Sequence, residues 1–318
     1  MDRFEGSQYQ GPSLEWESLV SVQGLSPPTP ESQSVEELQA SVNKSRIEVS
    51  KFNIASENLR EKVVWEDFPI PTGDGQSING RVYRPSATSA DTKLPIYLFF
   101  HGGGFLFGDV ETEDATCSRI VANYTPPEIM VVSINYRHTP EFRHPTQIND
   151  ARHAVYWLSE NASRIGGDCQ KVVIGGISAG ALLAASLTTA YCSGAIMSQL
   201  GDSLHICGQL LAIPWLIQPD NPLHPTSDRE DSSYNQNINA PILPLTRLRY
   251  FAGLLDANDV EDAALNPALV PSSKIGKLPK SAILIAGQDP LRDEGLFYAQ
   301  MLQENGYVKP FHAYNLSY

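Results

Sequence analysis

Cysteine is scarce in this chain. Four residues in 318, Cys117, Cys169, Cys192 and Cys207, with no C-x-x-C pair among them, exclude a disulfide framework or a thiolate zinc site as the basis of the fold. Buried free thiols are the expectation. Positive charge is also in deficit, with 23 basic residues against 36 acidic ones and a net charge of −13, and no basic run could follow a phosphate backbone or an anionic membrane surface. Nucleic acid is excluded as a partner on that ground. No apolar run reaches the roughly 18 residues of a membrane span, and the acidic opening residues lack the apolar core of a secretory signal. A cytoplasmic location is therefore expected, and the four N-x-[ST] matches at Asn43, Asn123, Asn161 and Asn315 are expected to stay unmodified. No internal repeat is visible, and composition leaves the oligomeric state unknown.

What is present is an ordinary globular composition, 42% hydrophobic, on a chain long enough to bury a large core. Residues 1–33 are polar and proline-rich. Ser34 with Glu37 forms a capping-box pattern, and Val35, Leu38 and Val42 give the helix that follows one apolar side. Residues 62–68 and 76–83 flank a Pro-Thr-Gly-Asp-Gly turn and read as an antiparallel strand pair. From Leu94 onward, short apolar runs at 95–100, 129–135, 171–175, 206–213, 282–286 and 308–314 alternate with helical segments, one of them marked by Ile148, Ala151, Val155 and Leu158. That is the pattern of an α/β fold, a mostly parallel central sheet with helices on both faces. Residues 214–279 break the rhythm with prolines and polar residues, helical only near 246–256. An insertion of this length between core strands suggests a cap. The expected division is an N-terminal cap segment (1–60), the first part of the core (61–213), the cap insertion (214–279) and the second part of the core (280–318).

Chemistry enters at 171–187, where an apolar run meets Gly176-Ile177-Ser178-Ala179-Gly180 and a helical pattern follows. Strand, sharp turn and helix around G-x-S-x-G describe a nucleophile elbow, which makes Ser178 the candidate nucleophile. Directly after the run 95–100 come His101, Gly102, Gly103, Gly104 and Phe105. Consecutive glycines can turn their amides toward one point, so the N–H groups of Gly103 and Gly104, with that of Ala179, form a candidate oxyanion hole. His101 precedes the nucleophile, whereas the base of this architecture follows it, so His101 reads as an anchor for the loop. Phe105, Phe107 and Trp215 are candidates for an apolar pocket, with plain core as the simpler reading.

The segments HGGGF (101–105), YRHTPE (136–141), GISAG (176–180) and DPLRDEG (289–295) together resemble the hormone-sensitive-lipase family of α/β-hydrolase esterases, in the family's order, from about residue 60 to the end. Within it the chain looks nearest to fungal esterases, some of which serve secondary metabolism. Ile177 departs from the pattern, which more often has an acidic residue before the serine. The resemblance implies an α/β-hydrolase fold, a small or medium ester as substrate, no metal and no organic cofactor. It also implies Asp289 as the triad acid, while Asp293 and Glu294 read as ordinary first-turn acids of a helix. Tyr136, Arg137, Pro140 and Glu141 match a segment that reads as structural.

The base is where the pattern is incomplete. Of seven histidines only His312 follows Asp289, and it sits inside the expected last strand rather than on the loop beyond it, which makes it a poor base. The sequence stops at Tyr318, about where the family's histidine would come, and the family's C-terminal helix is expected to be missing. A hydrolase impaired in this form is the expectation. Two other readings stand beside it: a non-catalytic small-molecule binder, as the plant gibberellin receptors of this family are, and a lyase or dehydratase that uses the oxyanion site.

Overall fold

The apolar run after Leu94 becomes strand β3 (Leu94–Phe100), and its alternation shows how the sheet is covered. Ile96, Leu98 and Phe100 belong to one buried cluster, whereas Tyr97 and Phe99 belong to another on the opposite face. Side chains that alternate with period two and are buried on both faces require a layer on each side of the sheet. A computed structural model describes residues 9–11, 17–18, 21–22 and 34–306, apart from 90, 125–127, 202, 258 and 276. Among those residues the sheet has seven strands in the order β1-β2-β4-β3-β5-β6-β7, with β1 at Val63–Pro71, β2 at Ser77–Pro85, β4 at Met130–Asn135, β5 at Gly167–Ile177, β6 at Ile206–Ala212 and β7 at Lys280–Leu284. The β1–β2 and β2–β4 pairings are antiparallel and the rest are parallel. The expected edge hairpin and mostly parallel sheet are both present.

Six helices of ten or more residues are labelled here in chain order: α1 (Val35–Ser56), α2 (Asp114–Asn123), α3 (Thr146–Asn161), α4 (Ala179–Cys192), α5 (Leu245–Leu255) and α6 (Arg292–Glu304). Helix α1 starts as its sequence predicts. The Ser34 hydroxyl accepts from the Glu37 N–H, and the Glu37 carboxylate accepts from the Ser34 N–H. Helices α3 and α4 bring Ile148, Ala151, Leu182 and Leu183 into the larger cluster, and α2 brings Cys117 and Val121 into the smaller one. Among the described residues no helix is long and apolar enough to cross a membrane.

Two expectations need adjustment, and a third falls outside the described residues. The strand expected at 282–286 runs from Lys280 to Leu284, because its parallel partner spans Gly208 to Ala212 and pairing ends there; Ile285 and Ala286 lead out toward Asp289. The strand expected at 308–314 lies outside the described residues. All four cysteines are free, but only Cys117 is buried. Cys207 follows buried Ile206 on β6 and so turns to the opposite face, where it is exposed.

Candidate active site

The sheet delivers three chain exits to one level. Phe100 of β3 pairs with Gly176 of β5, Ile177 pairs with Ala212 of β6, and Ala212 pairs with Leu284 of β7. In a parallel sheet, strands that end in register place the residues after them along one carboxyl edge. Those residues are His101 to Gly104, Ser178, and the stretch leading to Asp289.

Ser178 bridges β5 and α4 with φ 54° and ψ −114°, a conformation that is unfavourable for any residue with a Cβ and persists only where the surroundings hold it. They hold it on both sides. Its N–H donates to the Ala212 carbonyl at 2.9 Å, and its carbonyl accepts from Leu182 at 3.1 Å and from Trp215 at 3.3 Å. The side chain is half-buried, and among the described residues no group hydrogen-bonds its hydroxyl. Gly180, in the first turn of α4, is pressed against the end of β3: a Cβ there would overlap the Phe100 carbonyl and lie 2.5 Å from the His101 carbonyl. The elbow and the glycine loop are therefore in direct contact.

In that loop Gly103 has φ 140° and Gly104 φ 63°, left-handed values that favour glycine. The loop closes on itself, with Leu106 N–H and Phe107 N–H both donating to the Gly103 carbonyl at 3.0 and 2.9 Å. A Cβ on Gly104 would overlap the Phe251 ring of α5, so the insertion packs directly over the loop. His101 is fully buried and stacks on Tyr136, ring centroids 4.3 Å apart, while the Tyr136 hydroxyl donates to the His101 carbonyl at 2.7 Å. Those contacts tie the start of the glycine loop to Tyr136, the residue after β4. Phe105, Phe107 and Trp215 are all buried in the core cluster. Asp289 follows β7, is buried, and accepts the Leu291 N–H on Oδ1 at 2.9 Å; Asn237 of the insertion donates to its carbonyl at 3.3 Å.

An elbow whose Gly180 is pressed against the start of the glycine loop, and an aspartate leaving the same edge of the sheet, agree with an independent finding. A family model described as alpha/beta hydrolase fold matches residues 97–316. The chain belongs to the alpha/beta hydrolase fold family. Esterase LipI of Mycobacterium tuberculosis is 31% identical to this hydrolase over 241 residues, 74% of the present chain and 68% of LipI. Among solved structures, the Pyrobaculum calidifontis esterase superposes with a TM-score of 0.77 at 25% identity, covering 96% of this hydrolase and 90% of that chain. Vibralactone cyclase superposes with a TM-score of 0.82 at 26% identity, covering 99% and 88%.

Three of the described histidines of the hydrolase are held in contacts of their own. Burial, then the neighbouring His138, holds the His101 imidazole well below its ordinary value. Burial, then Arg46, pushes His138 down to about 4. Both are neutral near pH 7 and poorly matched to proton transfer there. His224 is buried against the Glu294 carboxylate at 3.4 Å. His312 lies outside the described residues.

Two sets of residues escaped the sequence reading. Asp293 and Glu294 do lie in the first turn of α6, but they are not ordinary solvent-facing acids. Asp293 accepts the Ser233 N–H at 2.8 Å, and Glu294 accepts the Leu216 N–H at 2.5 Å and the Tyr234 hydroxyl at 3.3 Å. Burial raises the Glu294 carboxyl above the usual carboxylate range, against the pull of His224. Both acids fasten the insertion to the core. The other set is a polar row on α1: Gln39 Nε2 donates to the Leu106 carbonyl at 2.7 Å, Asn43 Oδ1 accepts the Gly108 N–H at 2.8 Å, and an Arg46 Nη1 donates to the Gly102 carbonyl at 3.2 Å. Their spacing was readable in the sequence, but nothing local says that the partner is the glycine loop.

Proposed function

We propose that this hydrolase cleaves carboxylic esters by acyl transfer to Ser178. Its Oγ attacks the acyl carbonyl carbon, the tetrahedral oxyanion is held by the N–H groups of Gly103, Gly104 and Ala179, and the C–O bond to the alcohol breaks as the alcohol takes up a proton. Water then adds to the acyl-enzyme and releases the acid with Ser178 restored. Asp289 orients the base that carries the proton; in the order serine, acid, histidine that base follows Asp289. Small and medium esters are the proposed substrates. Helix α1 and residues 214–279 act as the cap, a reading supported by Phe251 over Gly104 and by the edge-to-face pair of Phe251 with Phe107, centroids 5.6 Å apart.

The observation that carries this reading is the contact between the elbow and the glycine loop, made through Gly180. It is tested by giving the full chain p-nitrophenyl acetate and butyrate beside Ser178→Ala. The expected result is saturable turnover that falls by at least about 10³-fold in the variant. Equal rates for the two proteins would remove Ser178 from the reaction.

A further inference from the structure

Helix α1 carries Gln39, Asn43, Arg46 and Ser50 at i, i+4, i+7 and i+11. This spacing is one stripe of the helix, the one an amphipathic helix normally fills with apolar residues. Here all four are polar, and all four bond the backbone between residues 102 and 115. Besides the three bonds of Gln39, Asn43 and Arg46, Ser50 Oγ accepts the Ala115 N–H in the first turn of α2 at 3.1 Å. A half-buried stripe of side-chain-to-backbone bonds, closed at its end by buried Ser50, is a device for fixing a loop whose glycines cannot fix themselves.

The Arg46 contact has a particular geometric consequence. In a trans peptide the C=O and the following N–H lie in one plane and point in opposite directions. A guanidinium that holds the Gly102 carbonyl, beside the His101 Nδ1 that lies 3.2 Å from the same oxygen, therefore constrains the direction of the Gly103 N–H. Between two glycines that peptide has little intrinsic preference and could rotate. Arg46 is itself held: its Nη2 pairs with the Glu113 carboxylate at 2.6 Å, and the Glu113 side chain is 5% exposed. One planar fork thus reaches a carboxylate and a carbonyl together, which a lysine ammonium does not reproduce.

We infer that Arg46 is a positioning residue for ester hydrolysis, aiming the Gly103 N–H at the developing oxyanion through the Gly102 carbonyl. This rests on the reading of Gly103 as an oxyanion donor. An N–H directed at charge that exists only in the transition state acts on kcat rather than on substrate binding. Loss of an oxyanion donor lowers kcat by about 10²–10³-fold, and a donor left in place but unaimed should fall below that range, at roughly tenfold or more.

The test compares the full-length wild type, Arg46→Met and Arg46→Lys in p-nitrophenyl butyrate turnover, with inhibition by an aryl trifluoromethyl ketone, which forms an oxyanion adduct at an active serine. Hydrogen exchange of the 101–108 segment is followed in parallel. Arg46→Met is expected to lower kcat about tenfold or more with KM within about threefold, to weaken the ketone by a similar factor, and to speed exchange in the loop. Arg46→Lys is expected to recover part of each effect. If wild-type turnover depends on Ser178 and kcat in Arg46→Met stays within twofold, the positioning role is overturned while the hydrolase reading stands. If the wild type shows no Ser178-dependent turnover, the hydrolase reading fails, and the catalytic role of Arg46 falls with it. Unchanged exchange in both variants overturns the inference whatever the activity.

Discussion

At Ser178 and Gly104 the backbone adopts left-handed values for opposite reasons. Ser178 is strained and held by three backbone hydrogen bonds, whereas Gly104 is relaxed and needs the absence of a side chain. Gly104→Ala would combine a disfavoured φ with an overlap against the Phe251 ring. The expected outcome is loss of most esterase activity together with destabilisation on the order of 1–3 kcal/mol, read by turnover and by urea unfolding. His138 gives a pH prediction at the same scale. Its folded pKa, about 4, lies below the ordinary imidazole value of 6.5, so the unfolded chain binds more protons than the folded one between those values. Stability must then fall as pH drops from 6.5 toward 4, by on the order of 3 kcal/mol from this residue. Replacing His138 with Gln should flatten the urea-midpoint curve over that window; a slope equal to wild type would contradict the assignment.

At the scale of elements, the site is a glycine loop held between two helices of different kind. Helix α1 grips it with polar side chains, and α5 covers it with an apolar one. Phe251 is 5% exposed and sits where Gly104 leaves room. Phe251→Ala should destabilise the protein by about 3–5 kcal/mol through the cavity it leaves, and it should free the loop on one side only. Raised KM for p-nitrophenyl butyrate, with kcat less affected, is the expected kinetic signature, because in the proposed mechanism α5 roofs the substrate pocket while Arg46 aims the oxyanion donor. A variant that changed kcat alone would reverse that division.

For the whole molecule, the connection that matters runs from the insertion to α6. Glu294 is fully buried and accepts from Leu216 and Tyr234, both of which belong to the insertion. Removing it strands a buried N–H and a buried hydroxyl, about 1–3 kcal/mol each. Glu294→Ala should lower the melting temperature and open 214–240 to limited proteolysis, while Glu294→Gln, which keeps an acceptor for Leu216, should resist cleavage better. Fragments identical to wild type would place the attachment elsewhere. A similar network fixes the edge hairpin, where Arg81 pairs with Asp67 at 2.5 Å and with Asp114 of α2 at 2.8 Å.

The sequence by itself determined whatever depends on neighbours along the chain. The strand runs, the capping box at Ser34, the elbow at Gly176 to Gly180 and the glycine triplet were all legible there, because pleat, helix period and tight turns are local properties. The α/β class followed from the order of those runs. Only the tertiary structure decided which polar groups meet. Arg46 reaches Gly102 across 56 residues and Glu294 reaches Leu216 across 78, and a side chain's bonding partner at such separation is set by packing rather than by any pattern near it. For that reason the sequence reads Asp293 and Glu294 as first-turn acids of a helix, and nothing near the 39-43-46-50 stripe marks the loop as its partner.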